Sequence, residues 1–282
     1  MKPEIILHLG VHKTATTHIQ SRLWNSREKL LNHGIQYIGL GQLREIMTSK
    51  LGGGHTASDI MTALTPYLDA EKLVISDENI LGGTDMPESK KLYSGAGSRL
   101  KILLSALHQY EITAHITLRD YADYLISRYC ESLRHYKFRN FNGYYRNTDF
   151  STISWLDLLN DIRVAGCKNL VVSDFNFAIR SNDDYFSRML GVDFQLEEAT
   201  DSAATRRSKM SLETIRILNA LNKHYPPQLV KKIMNMMDNH KQISTSTPFN
   251  PFKEEDLARL KANYSEHMQQ LKNGNSDIQV WG

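Results

Sequence analysis

A lysine and three threonines crowd one short stretch near the start of the chain, Gly10-Val-His12-Lys13-Thr14-Ala15-Thr16-Thr17. Ammonium, hydroxyl and backbone N–H groups gathered this closely suit a tetrahedral oxyanion, held through charge-assisted hydrogen bonds. A second basic and hydroxylated pair stands much later, in Thr117-Leu-Arg119-Asp120-Tyr-Ala-Asp-Tyr-Leu-Ile-Ser127. A guanidinium forks around phosphate oxygens, and a serine hydroxyl adds a further donor. Between the two lies the acidic pair Asp77-Glu78, and a carboxylate there can take a proton from an attacking hydroxyl. Two separate places where an anion can be gripped, with a pair of carboxylates between them in the chain, are the residues whose chemistry needs explaining.

The pattern also says which elements hold these residues. Positions 5–9 are an apolar run that reads as a buried strand ending at Gly10, and Ile19, Leu23, Leu30 and Leu31 then recur at helical spacing. The first N–H groups of that helix lack internal partners and lie at the positive end of its dipole, so the junction is itself an anion trap. Further strands are expected at 35–38, 72–76, 111–118 and 169–173, with helices at 61–68, 94–110, 121–136, 155–164 and 185–190. The stretch 39–56 reads as a Gly-rich loop around a short helix. Towards the end, Leu212, Ile215, Leu218 and Leu221 mark a helix stopped by Pro226-Pro227. Asn250-Pro251 reads as cap and first turn of a last helix carrying Leu257, Leu260, Tyr264, Met268 and Leu271. Alternating strands and helices predict an α/β fold in three layers, a central parallel sheet flanked by helices. One domain is expected over 1–282, its last third, 200–282, mostly helical. In such a sheet ligands gather at the carboxyl ends of strands, where Gly10, Asp77-Glu78, Arg119 and Asp174 fall.

Charge and composition narrow the partners. Lys and Arg together number 34 against 31 for Asp and Glu, too small an excess to argue for nucleic acid. Cys130 and Cys167 have no metal-ligand spacing and read as free thiols of a reducing compartment. No run approaches the roughly 20 apolar residues of a membrane span. The opening apolar stretch is short and lacks a small-residue cleavage site, so a cytoplasmic protein is expected.

Which oxyanion the first loop takes depends on its glycines. The Walker A pattern needs a glycine directly before the lysine and another five residues earlier, and here those places hold His12 and Leu7. Gly-x-x-Lys-Thr-x-Thr-Thr instead resembles the 5′-phosphosulfate loop of sulfotransferases that use 3′-phosphoadenosine 5′-phosphosulfate (PAPS). Arg119 with Ser127, at a strand end and along the following helix, resembles the 3′-phosphate motif of the same family. The resemblance covers about the first two hundred residues, with its best support at 5–20 and 111–130. It implies a P-loop-containing fold and transfer of a sulfuryl group from PAPS, leaving 3′-phosphoadenosine 5′-phosphate (PAP), with no metal. The acceptor would be a hydroxyl or amine of a small molecule, glycan or glycolipid. His12, Lys13, Thr14, Ala15, Thr16 and Thr17 would then surround the 5′ end, with Lys13 on the leaving oxygen, and Arg119 and Ser127 would hold the 3′-phosphate.

This sequence departs from the family pattern in three places. Ala15 stands where glycine is common, so the turn is expected to avoid positive φ there. Tyr121 stands where proline commonly follows Arg-Asp. The Gly-rich basic segment of many carbohydrate sulfotransferases is not recognisable; Arg206-Arg207-Ser208-Lys209 is either its substitute or a solvated loop before Ser211. Glu78 is the first choice for the general base, with His12 and Asp77 as rivals, while His8 and His108 read as structural. His135, Tyr136, Phe138, Arg139, Tyr144, Tyr145 and Arg146 line either an acceptor cleft or a polar surface loop. A kinase using Mg-ATP, with Asp77 or Asp174 on the metal, is the alternative, and a nucleotide-binding protein without transfer is the third. Oligomeric state stays open. The PAPS reading requires the Arg119 guanidinium to face the lysine-bearing turn, with room for a nucleotide between them.

Overall fold

The computed structural model describes residues 2–83, 91–200, 210–239, 247–274 and 278–282. Six strands, β1 (Glu4–His8), β2 (Ile35–Tyr37), β3 (Lys72–Ser76), β4 (Glu111–Leu118), β5 (Asn169–Asp174) and β6 (Ile278–Trp281), form one sheet. Their order is β2-β3-β1-β4-β5-β6, and every pairing is parallel. Strands covered on both faces read as continuous apolar runs, and Ile5, Ile6, Leu7, Leu73, Val74 and Ile75 are all fully buried.

Alternate residues serve opposite layers. Ile6, Val74 and Val171 pack with Ile19 and Leu23 of the Thr16–Asn25 helix and with Tyr185 and Phe186 of the Asn182–Leu190 helix. Ile5, Leu7, Ile75, Ile116 and Val172 join the larger layer, which takes in the Ala96–Ala106, Tyr121–His135 and Trp155–Val164 helices. The expected three-layer α/β arrangement is therefore present. From β1 the chain moves out to β2 at the edge, and from β3 it crosses to β4 on the other side of β1. That reversal opens a crevice outside the carboxyl end of β1.

Two expectations need correction, at 39–56 and at the cap of the last helix, and one strand was not expected. Most of 39–56 is helical, as Leu40–Ile46 and a 3-10 turn at Thr48–Gly52, because Leu43, Met47 and Leu51 recur every four residues and are buried. The described part of the last third is mostly helical, as expected, and also holds a strand that the pattern did not predict. Ile278–Trp281 pairs with β5 and extends the sheet, a strand too short for its alternation to stand out. The last helix runs Glu254–Asn273 without a side-chain cap, and Asn250 Oδ1 accepts from the Phe252 N–H in the preceding turn instead. Tyr121 anchors that helix: its hydroxyl meets His267 Nδ1 at 2.7 Å and accepts from the Trp155 N–H at 2.8 Å. Tyr264 adds a bond to Asp174 at 2.8 Å, so the helix lies along the exits of β4 and β5.

Candidate functional site

The turn after β1 is under strain. Gly10 has φ +47°, and a Cβ there would meet Thr16 Cγ2 at 2.5 Å, so no side chain fits. Lys13 and Ala15 take φ 70° and 61°, both left-handed. The expectation that position 15 avoids positive φ is thus wrong: Ala15 adopts it as N-cap of the Thr16–Asn25 helix. For residues other than glycine this costs roughly 1–2 kcal/mol each, a strain that concentrates at ligand sites. Ala15 supplies no side-chain cap, and the first helical turn carries no acidic residue. The leading N–H groups are thereby left for an external acceptor. Thr14 is buried and its hydroxyl donates to the Val11 carbonyl at 2.6 Å, bracing the turn and leaving only its N–H for a ligand. Thr16 is buried and Thr17 exposed.

His12 is committed to the scaffold. Its backbone N–H donates to the Tyr93 hydroxyl at 2.8 Å, its Nδ1 lies 2.9 Å from the same oxygen, and the rings stack. With the Asn79 amide oxygen towards Arg44, the amide nitrogen donates to His12 Nε2 at 3.0 Å. Burial lowers the His12 pKa, against the pull of Glu78. A neutral ring with both nitrogens engaged is a bracket and a poor general base. Tyr93 itself sits at φ 54° and bonds Tyr124 at 3.3 Å, joining the turn to the Tyr121–His135 helix. Nothing in the sequence singled out Tyr93, whose role exists only through contacts made across the fold.

Lys13 and Arg119 come together on the same turn. Arg119 Nη1 donates to the Lys13 carbonyl at 2.8 Å, so the guanidinium faces the lysine-bearing turn and touches it directly. Arg119 is buried, its Nε has no partner, it lies over the Phe175 ring, and its nearest carboxylate, Asp123, is 3.9 Å away. Such a cation is short of anions. Lys13 Nζ reaches Glu131 Oε2 at 3.1 Å. Asp123, Ser127 and Glu131 recur at four-residue spacing on the helix, so they share a face, and about 12 Å of axis separates the first from the last. Ser127 therefore lies between the two cations. Burial would raise the Glu131 carboxyl, but Lys13, His135 and Arg134 together hold it down at about 2. Glu131 is the functional candidate that spacing from Ser127 could have suggested and did not.

The acidic pair after β3 is divided. Asp77 is fully buried, its carboxylate receives Arg44 through Nε and Nη2 and caps the Asn79 N–H. That is a structural role and leaves no room for a base or a metal ligand. Glu78 accepts from Gln20 at 3.0 Å and Arg44 at 3.1 Å. Burial works to raise its pKa, yet its own backbone N–H, the Gln20 amide and the Arg44 charge hold it below the usual carboxylate range. Asp174 caps the Phe175–Arg180 helix and receives the Tyr264 hydroxyl.

Beside the turn is a cavity of about 290 Å³ lined by Leu81, Gly82, Tyr93, Ser94, Arg99 and Arg128. A neighbouring one of about 270 Å³ is lined by Arg44, Thr48, Ser49, Asn79 and Arg99. The 135–150 stretch divides: Phe138 and Tyr145 are buried, Tyr145 donating to the Leu125 carbonyl, and Tyr144 is half-buried against Arg128. Phe141, Phe150, Phe249 and Phe252 complete an aromatic cluster there, while His135, Tyr136, Arg139 and Arg146 are exposed. His108 is exposed beyond the end of its helix, and His8 is buried in the sheet. Arg206 to Lys209 lie outside the described residues.

Cys130 and Cys167 are free and buried. Among the described residues no helix is long and apolar enough to cross a membrane. The chain matches no family model, no curated protein and no solved structure.

Proposed function

We propose that the chain is a PAPS-dependent sulfotransferase acting on a hydroxyl or amine of a carbohydrate-containing acceptor in the cytoplasm. The observation that carries this reading is the pair of cations that meet at one strained turn: Arg119, from the end of β4, clamps the Lys13 carbonyl, and both side chains meet the face that bears Ser127. A nucleotide with an anion at each end complements that layout. The N–H groups of Thr14 to Thr17 and the hydroxyls of Thr16 and Thr17 bind the 5′-phosphate. Arg119, still short of an anion, and Ser127 take the 3′-phosphate.

Lys13 leaves Glu131 for the bridging oxygen and stabilises charge there as the acceptor atom bonds to sulfur and the old S–O bond breaks, its electron pair leaving with PAP. The acceptor proton passes to a carboxylate. Glu78 is one candidate, and Glu131, at 3.1 Å from the ammonium, is the other. An acceptor entering the cavity beside Tyr93 would meet Ser94, Arg99 and Arg128. The kinase alternative is weakened by Asp77, whose two carboxylate oxygens already hold Arg44.

Calorimetry separates the readings. The sulfotransferase binds PAP in the absence of magnesium, and the kinase binds ATP only with it. Mg-ATP binding with no response to PAP overturns the proposal. PAP binding without labelled-sulfate transfer to any member of a broad glycan and lipid panel would leave a binding protein.

A further inference from the structure

Beneath the turn, on the face of the sheet that carries Ile6 and Val171, the strands become polar. His8 of β1 pairs in register with His115 of β4, Thr117 of β4 with Ser173 of β5, and Ser173 with Trp281 of β6. Side chains two apart on a strand share a face, so these five form one patch. Tyr185 stands over it, its ring centroid 6.4 Å from that of His8 and 6.0 Å from that of Trp281. None of the six residues is more than 6% exposed. Each nonetheless carries a polar atom short of a well-formed hydrogen bond: His8 Nε2, His115 Nδ1, Ser173 Oγ and Trp281 Nε1, and Thr117 Oγ1 and Tyr185 OH, which have only each other within reach.

We infer that this layer is a built hydration site, a small cluster of ordered water molecules held between the sheet and the Asn182–Leu190 helix, and ending under the Gly10 turn. Buried polar groups in folded proteins are almost always satisfied. Left dry, these six would forfeit free energy comparable with the whole stability of a domain. The inventory of groups selects the occupant. The Trp281 indole only donates, the three hydroxyls both donate and accept, and each neutral imidazole nitrogen does one or the other. Burial keeps both rings neutral at pH 7, with pKa values lowered to about 4 for His8 and about 3 for His115.

A cation is poorly served here: an N–H points at it, and the described residues hold no group of three or more His, Cys, Asp or Glu suited to a metal. An anion finds no positive charge among the six. Water donates and accepts, and buried molecules of it need only two to four polar partners. His8 gives the cluster its reach, since a Cβ placed on Gly10 would lie 3.6 Å from His8 Nε2. The inference does not depend on which nucleotide, if any, the turn binds.

Water-oxygen relaxation dispersion on the whole chain, compared with the Ser173→Ala/Tyr185→Phe double variant, tests it. The wild type should show long-lived internal water, and the double variant a smaller contribution with an unchanged circular dichroism spectrum. An equal contribution in both overturns the inference. Should the double variant fail to fold, a crystal structure of the wild type decides. Density for water within hydrogen-bonding distance of His8 Nε2 and Trp281 Nε1 supports the site. A dry interior with these side chains bonded to one another rules it out.

Discussion

The Lys13 ammonium and the Glu131 carboxylate meet at 3.1 Å across 118 positions of sequence, with only a fifth or less of either side chain exposed. Any anion that recruits Lys13 must compete with that carboxylate. Replacing Glu131 by Gln removes the competitor, and PAP should then bind roughly three- to tenfold more tightly. Turnover should fall in the same variant if Glu131 is the base. Titration calorimetry reads the first effect; unchanged or weaker binding would mean that the ion pair does not guard the loop.

Lys13→Ala should leave a folded protein whose transfer rate drops about a hundredfold or more, the usual cost of losing one charge-stabilising donor at a developing anion. Full turnover with labelled PAPS removes Lys13 from the chemistry.

Ser127→Ala tests the two-ended grip. It should weaken PAP about tenfold or more while leaving adenosine 5′-phosphate unaffected, since a single hydroxyl to a charged group is at stake. A loss shared equally by both nucleotides would place Ser127 elsewhere.

Backbone strain predicts opposite outcomes at neighbouring positions. Ala15 holds φ 61°, so Ala15→Gly should stabilise by up to about 1 kcal/mol, the relief of a left-handed residue less the entropy of a freer unfolded chain. Gly10→Ala should destabilise by about 2 kcal/mol or more, because its methyl would meet Thr16 Cγ2 at 2.5 Å. Chemical denaturation measures both, and a destabilised Ala15→Gly would refute the strain.

Acid should weaken the fold in two overlapping windows. Unfolded, His8 and His115 take up protons near pH 6.5; folded, they resist to about 4 and about 3. Between these limits the unfolded chain binds more protons, so stability rises with pH there and is fully present above 6.5. On the order of a few kcal/mol is lost as pH falls from 6.5 towards 4. Glu131, held at about 2, contributes stability that disappears only below its ordinary value of 4.5. Melting temperature against pH should therefore slope between 6.5 and 4.5, and His115→Leu should flatten that slope.

The sheet was legible because its strands are short apolar runs between amphipathic helices, and β1, β3, β4 and β5 fall where the pattern put them, within a residue at either end. Ile278-Gln-Val-Trp281 was not, since four residues at an edge give no periodicity to count. Within the candidate site, the approach of Arg119 to Lys13 follows from placing both at the ends of adjacent strands. Glu131 and Tyr93 escaped because their meaning lies in partners more than eighty positions away. The conformation of Ala15 escaped for another reason: composition argues for the cheapest backbone, and this turn does not use it.

Tyr93 walls the cavity with its ring and holds the first peptide of the turn with its hydroxyl. A guest that shifts the ring must tug on that peptide, and a nucleotide that tightens the peptide must reset the ring. If the turn holds a nucleotide and the cavity an acceptor, as proposed, the two are thermodynamically linked through Tyr93, each altering the other's dissociation constant by one common factor.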